Sequence, residues 1–270
     1  MLSDFEIFGD KNKILEQIKI NKNLENTVIV ADFDRTFTTV ESEATWGLVL
    51  TSGYFGEEYH KKAQGLFDYY YPIEIGDYSH EYKSEKMLEW WEKAMDLMVD
   101  FGVTKDDINT LVYDKDYVHF RQEAINFLKI LYKKNIPIIF FSAGCGDVIE
   151  ELLKREGLYN HNLFIEADFF EYDEENKVIG YKNKQIIHPE NKDTFPLLPD
   201  IKEKIKNKKN CIIMGDNPAD IKLKHLVDCE NILSIAILAN SDKKFLQKAG
   251  FDILNKRQDF KSIINLFFYK

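Results

Sequence analysis

The stretch "TVIVADFDRTFTT", residues 27–39, decides how the rest of the chain is read. It passes from a continuous apolar run into Asp32 and Asp34, two carboxylates two residues apart. An apolar run without polar alternation predicts a strand buried on both faces, as in a parallel sheet. Ending it in two acids brings like charges together where desolvation is costly. Such a pair is either the polar exit of a strand or a device for chemistry. The choice depends on what the other strand ends carry.

Working outward, "EAINFLKILYKKN" (123–135) places Ala124, Phe127, Leu128 and Leu131 at helical spacing, and "IPIIFFSAG" (136–144) reads as a second buried strand. "DVIEELLKREG" (147–157) reads as a helix closed by Gly157, and "NCIIMGD" (210–216) and "ILSIAIL" (232–238) as two more strands. Alternation of this kind predicts an α/β, doubly wound, mostly parallel sheet covered on both sides, with right-handed crossovers. Two regions break the rhythm. Residues 37–118 are far longer than a crossover needs and include "MLEWWEKAMDLMVDFG" (87–102), with Leu88, Trp91, Met95 and Met98 on one helical face. They predict an inserted helical cap on a core of residues 1–36 plus 119–270. The second region, "FIEADFFEYDEENKVIGYK" (164–182), reads as an antiparallel hairpin about an acidic turn.

The bulk numbers narrow the function classes. The chain has 270 residues and a formal net charge of −10, which disfavours a nucleic-acid polymer or an acidic membrane as partner. "KNKILEQIKINK" (11–22) and "KEKIKNKK" (202–209) are then solvated helix faces. No run of eighteen apolar residues and no signal-like start are present. The three cysteines, 145, 211 and 229, form no zinc or disulfide framework, as expected of a cytoplasmic protein.

Ligands of open parallel sheets bind beyond the carboxyl ends of the strands. Asp32 and Asp34 follow the first strand, Ser142 the second, Asp216 the third with Asp220 four residues on, and Lys192 lies in the loop before that third strand. Each has a plain alternative: a turn acid, a helix cap, a solvated lysine with Lys184 as its rival. Their convergence on one edge favours chemistry. A carboxylate beside a divalent cation can attack phosphorus, and a second carboxyl two residues on can protonate the leaving oxygen and later deprotonate water. Asp32 and Asp216, with the Asp34 backbone carbonyl, suit Mg²⁺. Ser142, Lys192 and the amides of "AGCG" (143–146), Ala143 among them, suit phosphoryl oxygens. Cys145 at a helix start is expected to favour the thiolate.

These residues resemble the haloacid dehalogenase superfamily: "DFDRT", "FSAG", the lysine of "NKD" and "GDNPAD" match its four motifs. The resemblance implies a HAD-like Rossmannoid core, Asp32 as nucleophile, Asp34 as acid and base, Ser142 and Lys192 as phosphate ligands, Asp216 on Mg²⁺ and Asp220 in support. It also favours a phosphatase, since dehalogenating members lack the second aspartate. "YYYPIEI", "MLEWWEKA" and the run from "IFFSAGCGDVIEELL" to "IIMGDNPADIKL" are similar to the cytosolic pyrimidine 5′-nucleotidases. That likeness implies a nucleoside 5′-monophosphate substrate, pyrimidine favoured, with Glu74 approaching the base. The chain departs from that family over 37–68, where Trp46, Tyr54 and His60 stand as alternative stacking partners. The competing readings are a phosphatase of another small metabolite, such as a phosphoamino acid or sugar phosphate, and a non-catalytic phosphate binder.

Overall fold

The computed structural model describes residues 2–114, 117–183, 185–238 and 242–269. Lys184 lies outside them. The order of elements is β1 (Phe5–Ile7), α1 (Lys11–Asn21), β2 (Thr27–Ala31), α2 (Thr45–Leu50), α3 (Glu57–Ile75), α4 (His80–Asp100), α5 (Lys105–Tyr113), α6 (Ala124–Lys133), β3 (Ile138–Cys145) and α7 (Gly146–Arg155). There follow β4 (Leu163–Asp168), β5 (Phe170–Tyr172), β6 (Val178–Tyr181), α8 (Pro199–Ile205), β7 (Asn210–Gly215), β8 (Asn231–Ile237), α9 (Lys243–Ala249), β9 (Ile253–Asn255) and α10 (Phe260–Phe267).

One seven-stranded sheet runs β1-β9-β8-β7-β2-β3-β4, parallel except for the edge pair β1 and β9. Every residue of β2 is buried. Its alternate side chains enter two apolar layers. Val28 and Val30 join Ile139, Phe141, Ile213 and the α8 residues Ile201 and Ile205. Ile29 and Ala31 join Ile138, Phe140, Ile212 and residues of α1, α6, α7 and α10. A strand with apolar partners on both faces has no use for alternation, which is why its sequence reads as a continuous run. Helix α6 buries Ala124, Phe127, Leu128 and Leu131. Helix α7 is followed by Gly157 at φ +66°, the left-handed position expected after a helix end.

Two readings change. Residues 163–168 form β4, a parallel strand on β3, and the antiparallel hairpin is β5–β6 alone. On α4 the buried residues are Met87, Trp90, Trp91, Ala94, Met95, Leu97 and Met98, while Leu88 is exposed. Trp91, Met95 and Met98 are thus buried as expected, and the stripe widens on the side of Met87, Trp90, Ala94 and Leu97 instead of taking in Leu88. Helices α2 to α5 share one apolar cluster with the sheet, through Leu48, Tyr59, Met98, Ile108 and Leu111. The hairpin is tied to the same helices: Val178 N–H donates to Val103 O at 2.8 Å and Lys105 N–H to Asn176 O at 2.9 Å. Among the described residues no helix is long and apolar enough to cross a membrane, and Cys145, Cys211 and Cys229 are all free.

Candidate active site

Register alone brings the polar residues together. Ala31 pairs with Met214 of β7 and with Phe140 of β3. One or two residues further on, Asp32 and Asp216 leave the sheet, and Ser142 stands at the same level on β3. Phe33, between the two aspartates, is fully buried and sits edge-on to Phe140 and Phe120, with centroids 5.1 and 6.0 Å away. That anchor fixes the backbone from which both carboxyls project.

Lys192 is the electrostatic hub. Its buried ammonium donates to Asp32 Oδ1 at 2.7 Å and to Asp220 Oδ1 at 2.8 Å. Burial works against its charge, but Asp220 and Asp32 outweigh burial and hold Lys192 protonated. Burial pushes the Asp32 carboxyl up to about 7 against the pull of Lys192. Asp216 is raised well above the usual carboxylate range by burial, then by the like charges of Asp220 and Asp32. Thr36 Oγ1 donates to Asp216 Oδ1 at 3.1 Å, and Asn217 N–H donates to Asp220 Oδ2 at 2.9 Å. Asp220 leaves no room for a side chain at Gly215, where a Cβ would lie 2.3 Å from that of Asp220.

Oxygen atoms of Asp32, Asp216 and Asp220 lie within 4.8 Å of one another. Three buried carboxylates share a single lysine, and their mutual repulsion is what a hard divalent cation relieves. The donor set fits Mg²⁺.

Asp34 is held differently. Thr45 N–H donates to its Oδ1 at 3.0 Å and Thr45 Oγ1 to its Oδ2 at 2.7 Å. Burial raises the Asp34 carboxyl, and these two bonds oppose the rise. Thr45 Oγ1 also accepts from Cys145 N–H at 3.0 Å, while Ser142 Oγ accepts from Gly144 N–H at 3.0 Å. Two of the amides expected to face an anion are thus satisfied within the protein. The Ala143 carbonyl accepts from the indoles of Trp46 (3.0 Å) and Trp91 (3.2 Å). Contrary to expectation, Cys145 does not favour the thiolate: it is fully buried, and burial pushes its thiol well up.

The carboxylates open into a cavity of about 390 Å³. Asp32, Asp34, Ser142, Ala143, Lys192, Asp216 and Asp220 all line it, as does Glu74 from α3. Burial raises Glu74 to about 7, with Arg35 acting against the rise. Five aromatic residues also line it: Trp46, Phe67, Tyr71, Trp90 and Trp91. Of the three candidate stacking residues only Trp46 is there. Tyr54 is exposed and bonds through its hydroxyl to Asp107, and neither it nor His60 lines the cavity. Trp90 and Trp91 are both buried and both reach the cavity.

Two residues were not singled out from the sequence. Thr45 follows Asp34 by eleven positions in no recognisable motif. Arg121 is buried and donates from Nε (3.1 Å) and Nη2 (2.5 Å) to Arg35 O, and from Nη1 to Gln258 O (3.1 Å). It clamps the loop that carries Asp34. An arginine at a helix start gives no such signal in the sequence.

The fold matches that of cytosolic 5′-nucleotidase IIIB bound to cytidine, with a TM-score of 0.86 at 22% identity over 97% of this chain and 92% of that one. It also matches a substrate-bound phosphoserine phosphatase, with a TM-score of 0.58 at 14% identity over 88% of this chain and 96% of that one. In sequence, the chain is 30% identical over 254 residues to 7-methylguanosine phosphate-specific 5′-nucleotidase A of Xenopus laevis, covering 89% of this chain and 86% of the relative. It is 27% identical over 249 residues to the 7-methylguanosine phosphate-specific 5′-nucleotidase of Homo sapiens, covering 88% and 82%. Residues 36–265 match the model of the pyrimidine 5′-nucleotidase (UMPH-1) family. With nearly the whole chain matched and the strand-end acids gathered on one sheet edge, this protein belongs to the pyrimidine 5′-nucleotidase (UMPH-1) family.

Proposed function

We propose that this enzyme hydrolyses nucleoside 5′-monophosphates, pyrimidine nucleotides favoured, through a phosphorylated Asp32. One observation carries the reading: the acids and Lys192 share a single cavity with an aromatic wall and Glu74. Its volume falls within the roughly 300–1,000 Å³ of small-molecule pockets. Phosphate and base can therefore be held at opposite ends of one site.

In the proposed reaction the Asp32 carboxylate attacks phosphorus and the bond to the 5′-oxygen breaks. Asp34 supplies the proton to that oxygen, a role that the upward push of burial on its carboxyl favours. Lys192, Ser142 and the Ala143 amide hold the non-bridging oxygens as charge redistributes. Asp34, now ionised, takes a proton from water, which attacks phosphorus and releases phosphate and free Asp32. Mg²⁺ bound by Asp32, Asp216 and the Asp34 carbonyl would neutralise charge at the reacting phosphoryl group. Asp220 keeps Lys192 in place. Residues 37–118 are proposed to act as a cap that excludes water, with Glu74 and the aromatic wall receiving the base. A cytoplasmic location is proposed from the free cysteines.

A second reading concerns the base. The cavity pairs aromatic rings with Glu43 and Glu74, a lining that also suits a cationic purine through cation–π contact. The relatives named for 7-methylguanosine phosphate make that nucleotide the rival substrate. Phosphate release from CMP, UMP, 7-methylguanosine 5′-monophosphate, AMP, GMP, phosphoserine and sugar phosphates, with Mg²⁺ and with EDTA, tests both. Turnover of CMP or UMP that EDTA and Asp32→Asn each abolish is the expected result. Preference for the methylated purine replaces the pyrimidine reading, and turnover of non-nucleotides alone overturns the nucleotide assignment.

A further inference from the structure

Arg35 directly follows Asp34 in the chain and lines the same cavity, and its side chain is unspent. Among the described residues it makes no ion pair and its guanidinium makes no hydrogen bond; Nε is buried without a partner. Leaving such a donor unpaired is costly, so its place calls for a reason.

Its backbone is fixed with equal care. Arg35 sits at φ +59°, a left-handed conformation that a residue with a side chain seldom adopts. Its N–H donates to Thr38 Oγ1 at 2.8 Å, and its carbonyl is gripped by Arg121. Strained backbone held by its surroundings is a mark of functional sites. The effect here is to turn the Arg35 side chain into the cavity, which it lines.

Only two cationic side chains among the described residues line that cavity, Arg35 and Lys192. Lys192 is engaged by Asp32 and Asp220. Arg35 directly follows Asp34, the proposed proton donor to the leaving oxygen, and its field acts on Glu74, proposed above to receive the base. The group between those two points in a bound nucleotide is the sugar. A guanidinium has five donors and no acceptor, and ribose hydroxyl and ring oxygens are acceptors.

We infer that Arg35 is a specificity-determining residue that binds the ribose hydroxyls of the nucleotide and so distinguishes nucleoside monophosphates from smaller phosphate esters. The inference rests on the nucleotide reading above. Its test uses three substrates: a ribonucleoside 5′-monophosphate, its 2′,3′-dideoxy counterpart and methyl phosphate. Each is measured with the wild-type enzyme, Arg35→Met and Arg35→Lys. Methionine keeps the Cβ and both backbone bonds and removes only a guanidinium without partners, so Tm is expected to stay within a few degrees.

In the wild type the dideoxy substrate is expected to show a KM about tenfold higher than the ribonucleotide. Arg35→Met is expected to raise the ribonucleotide KM by about the same factor, to leave the dideoxy and methyl phosphate values within twofold, and so to erase the discrimination. Arg35→Lys should recover part of it, since one compact ammonium replaces a planar fork. Discrimination that survives in Arg35→Met overturns the inference. An equal rise in KM for methyl phosphate overturns it too, by making Arg35 a phosphate ligand. A wild type that turns over methyl phosphate but no nucleotide instead defeats the nucleotide reading, and does so before any variant is made.

Discussion

Thr45 offers the sharpest test of how the proposed acid works. Its hydroxyl donates to Asp34 Oδ2 at 2.7 Å and accepts from Cys145 N–H at 3.0 Å. Thr45→Val keeps the branched shape and the backbone bond to Asp34 Oδ1 while deleting both hydroxyl bonds. A hydrogen bond to a carboxylate contributes about 1.5–3 kcal/mol. At about 1.4 kcal/mol per decade, its loss should lower kcat/KM for a nucleotide by roughly 10- to 100-fold. The orphaned Cys145 amide should cost about 1–3 kcal/mol of folding stability as well, read separately by denaturant unfolding. The two effects are told apart by leaving group. kcat/KM reports events up to departure of the alcohol, and p-nitrophenol leaves without needing a proton. The Thr45→Val penalty should therefore nearly vanish for p-nitrophenyl phosphate, and Thr45→Ser should restore nucleotide turnover. Equal losses on both substrates would refute the reasoning, because they would make Thr45 a support for the phosphate site and not for proton transfer.

At Gly144 a Cβ would lie 2.3 Å from Thr45 Oγ1 and 2.8 Å from Asp34 Oδ2; Gly144→Ala should displace both and lower nucleotide kcat/KM by at least about 100-fold, and near-normal turnover would show that the loop yields at no cost. Asp168 is buried at the end of β4 with Oδ1 accepting from Ile187 N–H at 2.9 Å and Oδ2 without a partner, and burial pushes it up to about 8. An acid raised on folding gives stability that is complete below its unfolded value near 4 and lost as pH climbs through 8, at up to about 1.4 kcal/mol per pH unit. Asp168→Asn should therefore gain on the wild type in thermal melts as pH rises from 4 to 8, and parallel curves would disprove this.

The strands that carry the site were legible because the core is two-sided. Residues 27–31, 138–141 and 210–215 are buried throughout, and continuous apolar runs reveal that directly. β4 was misread for the complementary reason. Its Glu166 and Asp168 are buried, accepting from Leu198 N–H and Ile187 N–H respectively, and a polar residue in a short run signals an exposed face unless its partner is known. The three-residue strands β1 and β9 are too short for any period to show.

The site divides in the same way. Asp32, Asp34, Asp216 and Asp220 could be named from their places after strands, but their chemistry is decided by partners far along the chain. Cys145 meets Thr45 across 100 residues, Arg121 meets Arg35 across 86 and Lys192 meets Asp32 across 160. A local rule failed wherever such a partner or a buried setting outweighed it: the helix start at Cys145 suggested a thiolate, and desolvation reverses that. Asp32 and Asp34 differ only in position within one short motif, yet one is bound to an ammonium and the other to a hydroxyl and an amide. Lys192 opposes burial at the first carboxyl and the Thr45 hydroxyl and amide oppose it at the second, and at both carboxyls burial prevails. What distinguishes two acids that the sequence leaves alike is thus the partner the fold sets against each carboxyl.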